Sequence, residues 1–381
     1  MAETNPYLTR SHIEKLMRNY LQGTVEVVEV ESYPIDNSAS ILATLTSQSS
    51  DQLIGHFGLN VQYNLDGKSF KNKMVLKIKP HGREISNMLA GLAQMSDPEL
   101  GAVYSKFSDR TGFYNTHMRE LEIYQHFQQP LQPEIYGLIE MQESASYQIL
   151  MEDLSGADLL NSAMKPESWT DTHIRKALKS MAEWHAFARN AKRKIKSEYW
   201  EDTSASDYLP ALRPLWISLI EKASERYPEL YTEAFMSKLN AAMPHLETIS
   251  QELAKMPQTM VHNDCNPRNS CFVNGNFVLY DWELACWHVP QYDLVEFLCF
   301  VLEPARYAQR EEYVAYYRKE LSRLCSDWDN EALFSRGLAL AALQFGMHRL
   351  GMYMMAHAVA PYPFLPRVVE SYGDWMKSIE I

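Results

Sequence analysis

Three oxygen-bearing side chains lie at short intervals in the C-terminal half of the sequence. Asp264 and Asn269 are five positions apart, and Asp281 follows twelve positions after Asn269. Mg²⁺ is a hard cation that takes one or two such oxygens from a protein and completes its coordination shell with phosphates and water. These residue types therefore indicate a Mg²⁺ site, provided that the fold brings them together.

The segment between Asn269 and Asp281 predicts a β-hairpin. Two short runs of β-type residues flank Asn274-Gly275, which is the preferred loop of a type I′ turn. Pairing outward from this loop sets Asn269 opposite Tyr280, one position from Asp281. Asp264 lies on the loop that leads into the first strand. The predicted hairpin thus gathers the three side chains at one end of a two-stranded ribbon.

Length and composition indicate a large globular protein. The chain has 381 residues, of which 46% are hydrophobic and 22% are charged, as is ordinary for globular proteins. This length predicts two domains, or one domain with a large lobe. The net charge of −12 argues against a general nucleic-acid-binding protein, which needs a basic surface to displace counterions. We interpret the acidic balance first as a contribution to solubility.

Cysteine usage and hydropathy predict a reducing, cytoplasmic location and no membrane segment. The five cysteines form no Cys-x-x-Cys motif, which is typical of thiols that pack as small apolar side chains. The polar N-terminus contains no apolar core of a secretory signal. The longest apolar stretch, residues 338–360, is interrupted by Arg349 and by polar side chains, which favours a buried helix over a bilayer span.

The order of the predicted elements is a β-rich N-terminal part followed by a helical C-terminal part. An amphipathic helix is predicted at residues 9–21. Alternating patterns predict strands at residues 24–33, 41–46, 59–64, 73–79, 134–141 and 147–151. Residues 47–58 are interpreted as a polar loop. Residues 152–156 interrupt the pattern and predict the boundary between an N-terminal lobe of residues 1–154 and a C-terminal lobe of residues 155–381.

The pattern His262-x-Asp264-x-x-x-x-Asn269, with Asp281 downstream, resembles the catalytic core of the kinase-like phosphotransferases. This superfamily includes aminoglycoside phosphotransferases, choline kinases and ecdysteroid kinase-like enzymes, and the last are closest in pattern. Asp281 precedes Trp282-Glu283 where protein kinases carry Phe-Gly, which favours the small-molecule branch. Further matches occur in the same order at Met74-Val75-Leu76-Lys77, Arg119 to Tyr124, Ile149 to Leu154 and Ala182 to Ala186. The resemblance implies an α+β, protein-kinase-like bilobal fold with a small antiparallel N-lobe and a larger helical C-lobe.

The resemblance also implies roles for the central residues. Asp264 corresponds to the base that takes the proton of the acceptor hydroxyl, and Asn269 and Asp281 to the residues that hold Mg²⁺. His262 and Asp293 correspond to residues that brace the catalytic loop. The alternatives are an Asp that caps the following strand and a hairpin held by side-chain bonds.

ATP is the cofactor that the resemblance implies, and Lys77 corresponds to the lysine that contacts its α- and β-phosphates. Glu120 corresponds to the acidic residue that holds this lysine. Lys79 remains an alternative, because it lies two residues further on and points to the same face of the strand. Glu122 is the alternative to Glu120, although only one of the two can face Lys77 from a helix.

Two further contacts with the nucleotide are implied. Ser38, Ala39 and Ser40 form a small-residue turn in place of a glycine-rich loop, and their backbone N–H groups could approach phosphate. An ordinary β-turn is the alternative. At the hinge between lobes, adenine is expected to pair with the Glu152 carbonyl and the Leu154 N–H.

The acceptor is expected to be a hydroxyl group of a small molecule. Trp282, Glu283 and Trp287 follow the metal-binding Asp directly and are predicted to line an acceptor pocket. A pocket rich in carboxylates would favour a cationic acceptor of the antibiotic or choline type, and an apolar pocket a lipidic or polyketide-like one. A nucleotide-binding pseudokinase that regulates a partner is the alternative from another functional class.

Overall fold

The structure is a computed structural model that describes residues 5–35, 54–127, 131–189, 197–200 and 208–379. A five-stranded antiparallel sheet near the N-terminus and a larger helical region confirm the predicted α+β class. The strands are β1 Val25–Tyr33, β2 Gly55–Leu65, β3 Lys68–Pro80, β4 Ile135–Met141, β5 Ser146–Glu152, β6 Thr259–Val261, β7 Ser270–Val273, β8 Asn276–Leu279 and β9 Cys286–His288. The helices are α1 Arg10–Tyr20, α2 Gly82–Ser96, α3 Pro98–Tyr104, α4 Thr116–His126, α5 Asp171–Ala188, α6 Tyr208–Ala211, α7 Arg213–Arg226, α8 Glu233–Ala242, α9 Leu246–Lys255, α10 Gln291–Val301, α11 Arg310–Leu324, α12 Glu331–Met347, α13 Arg349–Val359 and α14 Leu365–Ser378. The strand predicted at residues 41–46 lies outside the described ranges.

The five-stranded sheet has the order β1-β2-β3-β5-β4, and every neighbouring pair is antiparallel. Its apolar side chains pack on α1, which buries Ile13, Leu16 and Met17. Thr9 caps this helix, since its hydroxyl oxygen accepts a hydrogen bond from the His12 N–H at 3.4 Å. In this strand order β3 is the central strand, and its pairing with β2 on one side and β5 on the other holds its side chains in place.

The polar loop predicted at residues 47–58 ends earlier than expected. β2 begins at Gly55, and its first residues pair with the last residues of β3. Backbone pairing along the full length of β3 therefore outweighs the polar composition of this stretch. Gly58 fits its position because a Cβ atom there would lie 2.4 Å from the ring of Tyr33.

Helix α10 runs through the centre of the helical region. All of its residues are buried, as expected for a helix that is surrounded by a core. Neither α10 nor any other described helix has the combination of length and apolar character that a membrane span requires. α10 carries two acidic side chains, Asp293 and Glu296, into the core. Buried carboxylates are costly unless they form hydrogen bonds, and both of these have partners in residues 262–269, the predicted catalytic loop.

Helices α2 and α3 belong to the predicted N-terminal lobe but pack against C-terminal helices. α2 contacts α13, and α3 contacts α7. Their buried side chains Ala93, Leu100 and Tyr104 share one apolar core with the C-terminal helices. The lobe boundary near residue 154 thus remains a prediction, while α2 and α13 together form a wall beside the catalytic loop.

Candidate active site

Strands β7 and β8 form the predicted hairpin in the predicted register. Pairing proceeds outward from Asn274 and Gly275, whose φ angles of 51° and 77° are those that a type I′ turn requires. At the open end, the Tyr280 N–H donates a hydrogen bond to the Asn269 carbonyl oxygen at 3.0 Å. Asn269 and Asp281 are therefore neighbours across the ribbon.

Asp281 faces two lysines of β3. Its Oδ1 atom lies 2.7 Å from Lys77 Nζ and 3.1 Å from Lys79 Nζ. Both lysines reach it because side chains two apart on a strand share a face. Burial alone would raise the pKa of Asp281, but the two ammonium groups outweigh burial and hold this pKa well below its usual range. Asp281 is thus ionised near neutral pH, as a ligand of a divalent cation must be.

Lys77 also contacts Glu120 of α4. Its Nζ atom is 2.6 Å from Glu120 Oε1, and the second carboxylate oxygen accepts a hydrogen bond from the Tyr147 hydroxyl at 2.6 Å. Glu122, the alternative partner, instead places Oε2 3.5 Å from His126 Nε2 on the same helix. The structure therefore brings Lys77 together with Glu120 and not with Glu122.

Lys79 has its own carboxylate partner. Its Nζ atom is 2.5 Å from Glu283 Oε2, and the side chain is buried. Lys79 is next to Pro80, the last residue of β3, which still pairs with Ser146. The two lysines thus form one buried group with Asp281, in which Lys77 is tied to α4 and Lys79 to the segment after Asp281.

Asp264 is held by hydrogen bonds at both carboxylate oxygens. Asn269 donates from Nδ2 to Oδ2 at 2.7 Å. The amide oxygen of Asn269 then points away from Asp264 and is available as a cation ligand. Oδ1 accepts from Arg349 Nη2 at 2.6 Å, from Asn266 Nδ2 at 2.9 Å and from the Tyr353 hydroxyl. Burial alone would raise the pKa of Asp264, but the Arg349 guanidinium above all holds it below its usual range.

Arg349 and Tyr353 are site residues that the sequence did not reveal. Both lie on α13, one helical turn apart, and both side chains are buried. The spacing of four residues places them on one face of the helix. That spacing was readable, but the stretch was interpreted only as a buried helix. Its contact with a loop more than eighty residues away follows from the packing of α13 and from no local pattern.

Asp293 binds the backbone of the catalytic loop. Its Oδ2 accepts from the His262 N–H at 2.7 Å and its Oδ1 from the Asn263 N–H at 2.8 Å, while His185 Nε2 lies 3.1 Å from Oδ2. Asn263 has a φ of 60°, a conformation that few residues adopt without support. The His262 ring completes the brace, because its Nε2–H donates to the Tyr280 carbonyl oxygen at 3.0 Å.

We expect Asp293→Asn to lower the free energy of unfolding by about 3 kcal/mol, because it removes a buried charge and turns an N–H donor towards a backbone N–H. Denaturant unfolding of the two proteins measures this difference. Asp327→Asn is the matched control, since its carboxylate is exposed and its ion pair with Arg189 lies on the surface. A loss below 1 kcal/mol for Asp293→Asn would contradict the bracing role.

Comparison with known families agrees with this geometry. Residues 57–329, which include most of β2, all of β3 to β9 and the predicted catalytic loop, match the model of the ecdysteroid kinase-like family. The chain belongs to the ecdysteroid kinase-like family. It is therefore a small-molecule kinase with a kinase-like fold. No curated protein matches the sequence.

Several solved structures are similar to this ecdysteroid kinase-like protein. Choline kinase from Cryptosporidium parvum Iowa II is 11% identical, with a TM-score of 0.48 over 91% of this chain and 88% of the other. A thermostable mutant of aminoglycoside phosphotransferase APH(4)-Ia is 12% identical, with a TM-score of 0.42 over 92% and 95%. Amicoumacin kinase hAmiN, in complex with AMP-PNP, Ca²⁺ and Ami, is 14% identical, with a TM-score of 0.43 over 86% and 87%.

A cleft of about 570 Å³ in the ecdysteroid kinase-like protein connects these residues. At one end it is lined by the end of β1, by Val75 and Met151 of the sheet, and by Glu152 and Leu154, the predicted hinge residues. The Tyr33 hydroxyl donates to Asp153 Oδ2 at 2.7 Å across this end. The predicted phosphate-loop residues Ser38, Ala39 and Ser40 lie outside the described residues. Lys77, Asn269 and Asp281 line the middle of the cleft.

The other end of the cleft is apolar. Its wall consists of α2, Phe113, Leu284 and α13. The apolar side chains are Ile85, Met88, Leu89, Leu92, Phe113, Leu284, Met352 and Ala356. Asp264, Arg349 and Tyr353 form its polar floor. Met352 lines this end of the cleft and also packs in the buried core of the helical region.

Two of the residues predicted to line the acceptor pocket lie elsewhere, and this prediction is corrected for Trp282 and Trp287. The Trp282 ring is fully buried between His262 and Trp184, with ring centroids 4.5 and 4.6 Å away. The left-handed conformation of Asp281 turns the following residue inward, which the sequence does not show. Trp287 is buried in the helical core. Glu283 does line the cleft, where it is paired with Lys79.

Proposed function

We propose that this protein transfers the γ-phosphoryl group of ATP to a hydroxyl group of a small, largely apolar molecule. The observation that supports this most is the convergence of three units on one cleft: the Lys77–Glu120 pair, the hairpin with Asn269 and Asp281, and the braced loop with Asp264. This combination is what phosphoryl transfer requires, because the protein contributes positioning and charge neutralisation rather than covalent chemistry.

Each unit has one task in the proposed reaction. Lys77, fixed by Glu120, contacts the phosphates of the nucleotide, and the hinge residues Glu152 and Leu154 bind its base. The acceptor hydroxyl donates to Asp264, whose Oδ2 has a single donor while Oδ1 already has three. As the acceptor oxygen bonds to the γ-phosphorus, the bond to the β-bridging oxygen breaks. ADP leaves, and the hydroxyl proton passes to Asp264.

The donor atoms fit Mg²⁺. Asn269 offers an amide oxygen, because its amide nitrogen is committed to Asp264, and Asp281 offers an ionised carboxylate. An all-oxygen pair of this kind suits a hard cation that keeps its remaining positions for phosphate and water. Bound there, Mg²⁺ would neutralise phosphate charge. Lys77 and Lys79 share Asp281 Oδ1, so Oδ2 is the oxygen available to the cation.

The apolar end of the cleft supports one acceptor class over the other. A cationic acceptor of the choline or antibiotic type needs carboxylates around it, whereas α2, Phe113 and α13 present mainly aliphatic, thioether and aromatic surface. Of the cleft carboxylates near this wall, Glu283 is already paired with Lys79 and Asp264 with Arg349. A rigid apolar body bearing a hydroxyl group would therefore bury its surface at low cost.

The direct test is an ATP-consumption screen over a library of hydroxylated metabolites and antibiotics. Asp264→Asn serves as the blank for each compound. Turnover with apolar hydroxylated compounds that depends on Mg²⁺ supports the proposal. Turnover only with amino-cationic compounds would favour the choline or antibiotic type, and metal-dependent ATP binding without transfer to any acceptor would favour a regulatory pseudokinase.

We expect Met88→Glu to raise the KM for an apolar acceptor at least about tenfold. Met88 is half-buried and an acceptor would cover the rest of it, and full burial of a Met side chain contributes about 1.5–3 kcal/mol. The KM for ATP should not change, since Met88 lines the apolar end. Met95→Glu on the same helix is the matched control, because Met95 is 64% exposed. Steady-state kinetics with both substrates varied would measure the two KM values. An equal effect of the two variants on the KM for the acceptor would contradict the assignment of Met88 to the acceptor-binding wall.

A further inference from the structure

Behind Asp264, a second carboxylate is buried that the proposed reaction does not use. Glu296 of α10 is fully buried, and no cation among the described residues forms an ion pair with it. The Tyr353 hydroxyl lies between the two carboxylates, 2.8 Å from Glu296 Oε1 and in very short contact with Asp264 Oδ1. Two acidic side chains thus share one hydroxyl group in the core.

Counting hydrogen atoms assigns the direction of these bonds. The Tyr353 hydroxyl has one hydrogen and can donate to only one carboxylate. Asp264 is ionised and paired with Arg349, so it is the stronger acceptor and takes the Tyr353 hydrogen. The contact between Tyr353 and Glu296 then requires a hydrogen on Glu296, since two oxygens without one would repel. Arg349 Nη2 donates to the Tyr353 oxygen at 2.9 Å and occupies its other lone pair. The two hydrogens of Asn266 Nδ2 go to its nearer acceptors, Asp264 Oδ1 at 2.9 Å and Glu296 Oε1 at 3.1 Å, rather than to the Tyr353 oxygen at 3.3 Å.

We propose that Glu296 is a positioning residue that carries a proton and donates it in a hydrogen bond to Tyr353, which directs the Tyr353 hydroxyl hydrogen to Asp264. This inference rests on the proposed function, because the residue that it positions is the proposed base. With Oδ1 of Asp264 held in this way, Oδ2 points to the acceptor hydroxyl. No proton is transferred along the chain; Glu296 sets the direction of each hydrogen bond.

The surroundings of Glu296 agree with a neutral side chain. Burial raises the pKa of Glu296 to about 8, and the negative charge of Asp264 adds to this rise, while Arg349 opposes it. The titratable or charged groups that face it are Asp264 and Cys265 from the loop, Arg349 and Tyr353 from α13, and Cys299 from its own helix. Burial raises the pKa of both thiols and of the phenol, so Glu296 is the group expected to lose its proton first above neutral pH.

The kinetic test compares kcat between pH 6 and 10 for the wild type, Glu296→Gln and Tyr353→Phe at saturating substrates. The wild type should lose activity above about pH 8, as Glu296 ionises and two buried charges compete for Tyr353. Glu296→Gln should keep kcat within about threefold at pH 7 and lack the alkaline fall, because an amide N–H cannot be lost. Tyr353→Phe should lower kcat about tenfold at constant KM for ATP. The double variant should equal Tyr353→Phe, since Glu296 acts through Tyr353.

A second measurement does not depend on turnover. Infrared difference spectra between the wild type and Glu296→Gln should show a protonated carboxylic acid at pH 7 that disappears as the pH rises past 8. An alkaline fall that persists in Glu296→Gln, or the absence of that acid band, would overturn the proposal. Absence of phosphoryl transfer to every acceptor, with the band present, would instead refute the proposed function and leave the protonated Glu296 established.

Discussion

Asp264→Asn should lower the rate of phosphoryl transfer by about 10²- to 10⁴-fold, the range that a positioned general base contributes. The amide introduced by this substitution cannot take the proton of the acceptor hydroxyl as an ionised carboxylate does. Its oxygen can still accept from Arg349 and Tyr353, but its Nδ2 would then face the Asn269 Nδ2 that now donates to Asp264. The acceptor hydroxyl therefore loses both its base and its orientation. Rapid-quench measurement of single-turnover transfer gives the rate of this step directly.

The controls for Asp264→Asn separate chemistry from binding and folding. ATP should bind with nearly unchanged affinity, since its proposed contacts are Lys77 in the middle of the cleft and the predicted hinge residues at the end away from the apolar wall. Isothermal titration and thermal unfolding of the same sample check both points. Retention of more than a tenth of the wild-type rate would refute Asp264 as the base. Loss of ATP binding together with activity would show that the variant disturbs the cleft as a whole.

The hairpin of the site could be predicted from the sequence because its determinants are local. Asn274-Gly275 fixes the turn, the turn fixes the register, and the register places Asn269 beside Asp281. The contact between Lys77 and Glu120 is not local. Its expectation came from the order of motifs in a known superfamily, and the structure brings the same two side chains to 2.6 Å.

The polar floor of the proposed acceptor site could not be predicted in this way. Arg349 and Tyr353 reach Asp264 from α13, and an amphipathic pattern shows which face of a helix is buried but not what it packs against. Trp282 was misplaced for a different reason, since the left-handed conformation of Asp281 decides the direction of its neighbour. Neither the packing of a helix on a distant loop nor a single left-handed residue leaves a periodic signal in the sequence.

Lys77→Met should abolish detectable transfer and also destabilise the protein. Lys77 is the cation closest to Glu120, which is fully buried, and removal of one partner of a buried ion pair costs about 3–5 kcal/mol. Loss of activity alone would therefore be ambiguous. The double variant Lys77→Met/Glu120→Gln resolves this, because it removes the uncompensated carboxylate as well. It should regain much of the lost stability, measured by denaturant unfolding, and none of the activity.

Lys79→Met is the matched control on the same face of the same strand. It leaves the Lys77–Glu120 pair intact and removes the contact between Lys79 and Glu283. If Lys77 is the residue that anchors the phosphates, Lys79→Met should weaken ATP binding several-fold less than Lys77→Met/Glu120→Gln does. The opposite result is equally possible to detect, since both lysines contact Asp281 Oδ1 and either could reach a phosphate beside it. A larger loss of ATP affinity in Lys79→Met would assign the phosphate contact to Lys79 and leave Lys77 as the group that orders α4.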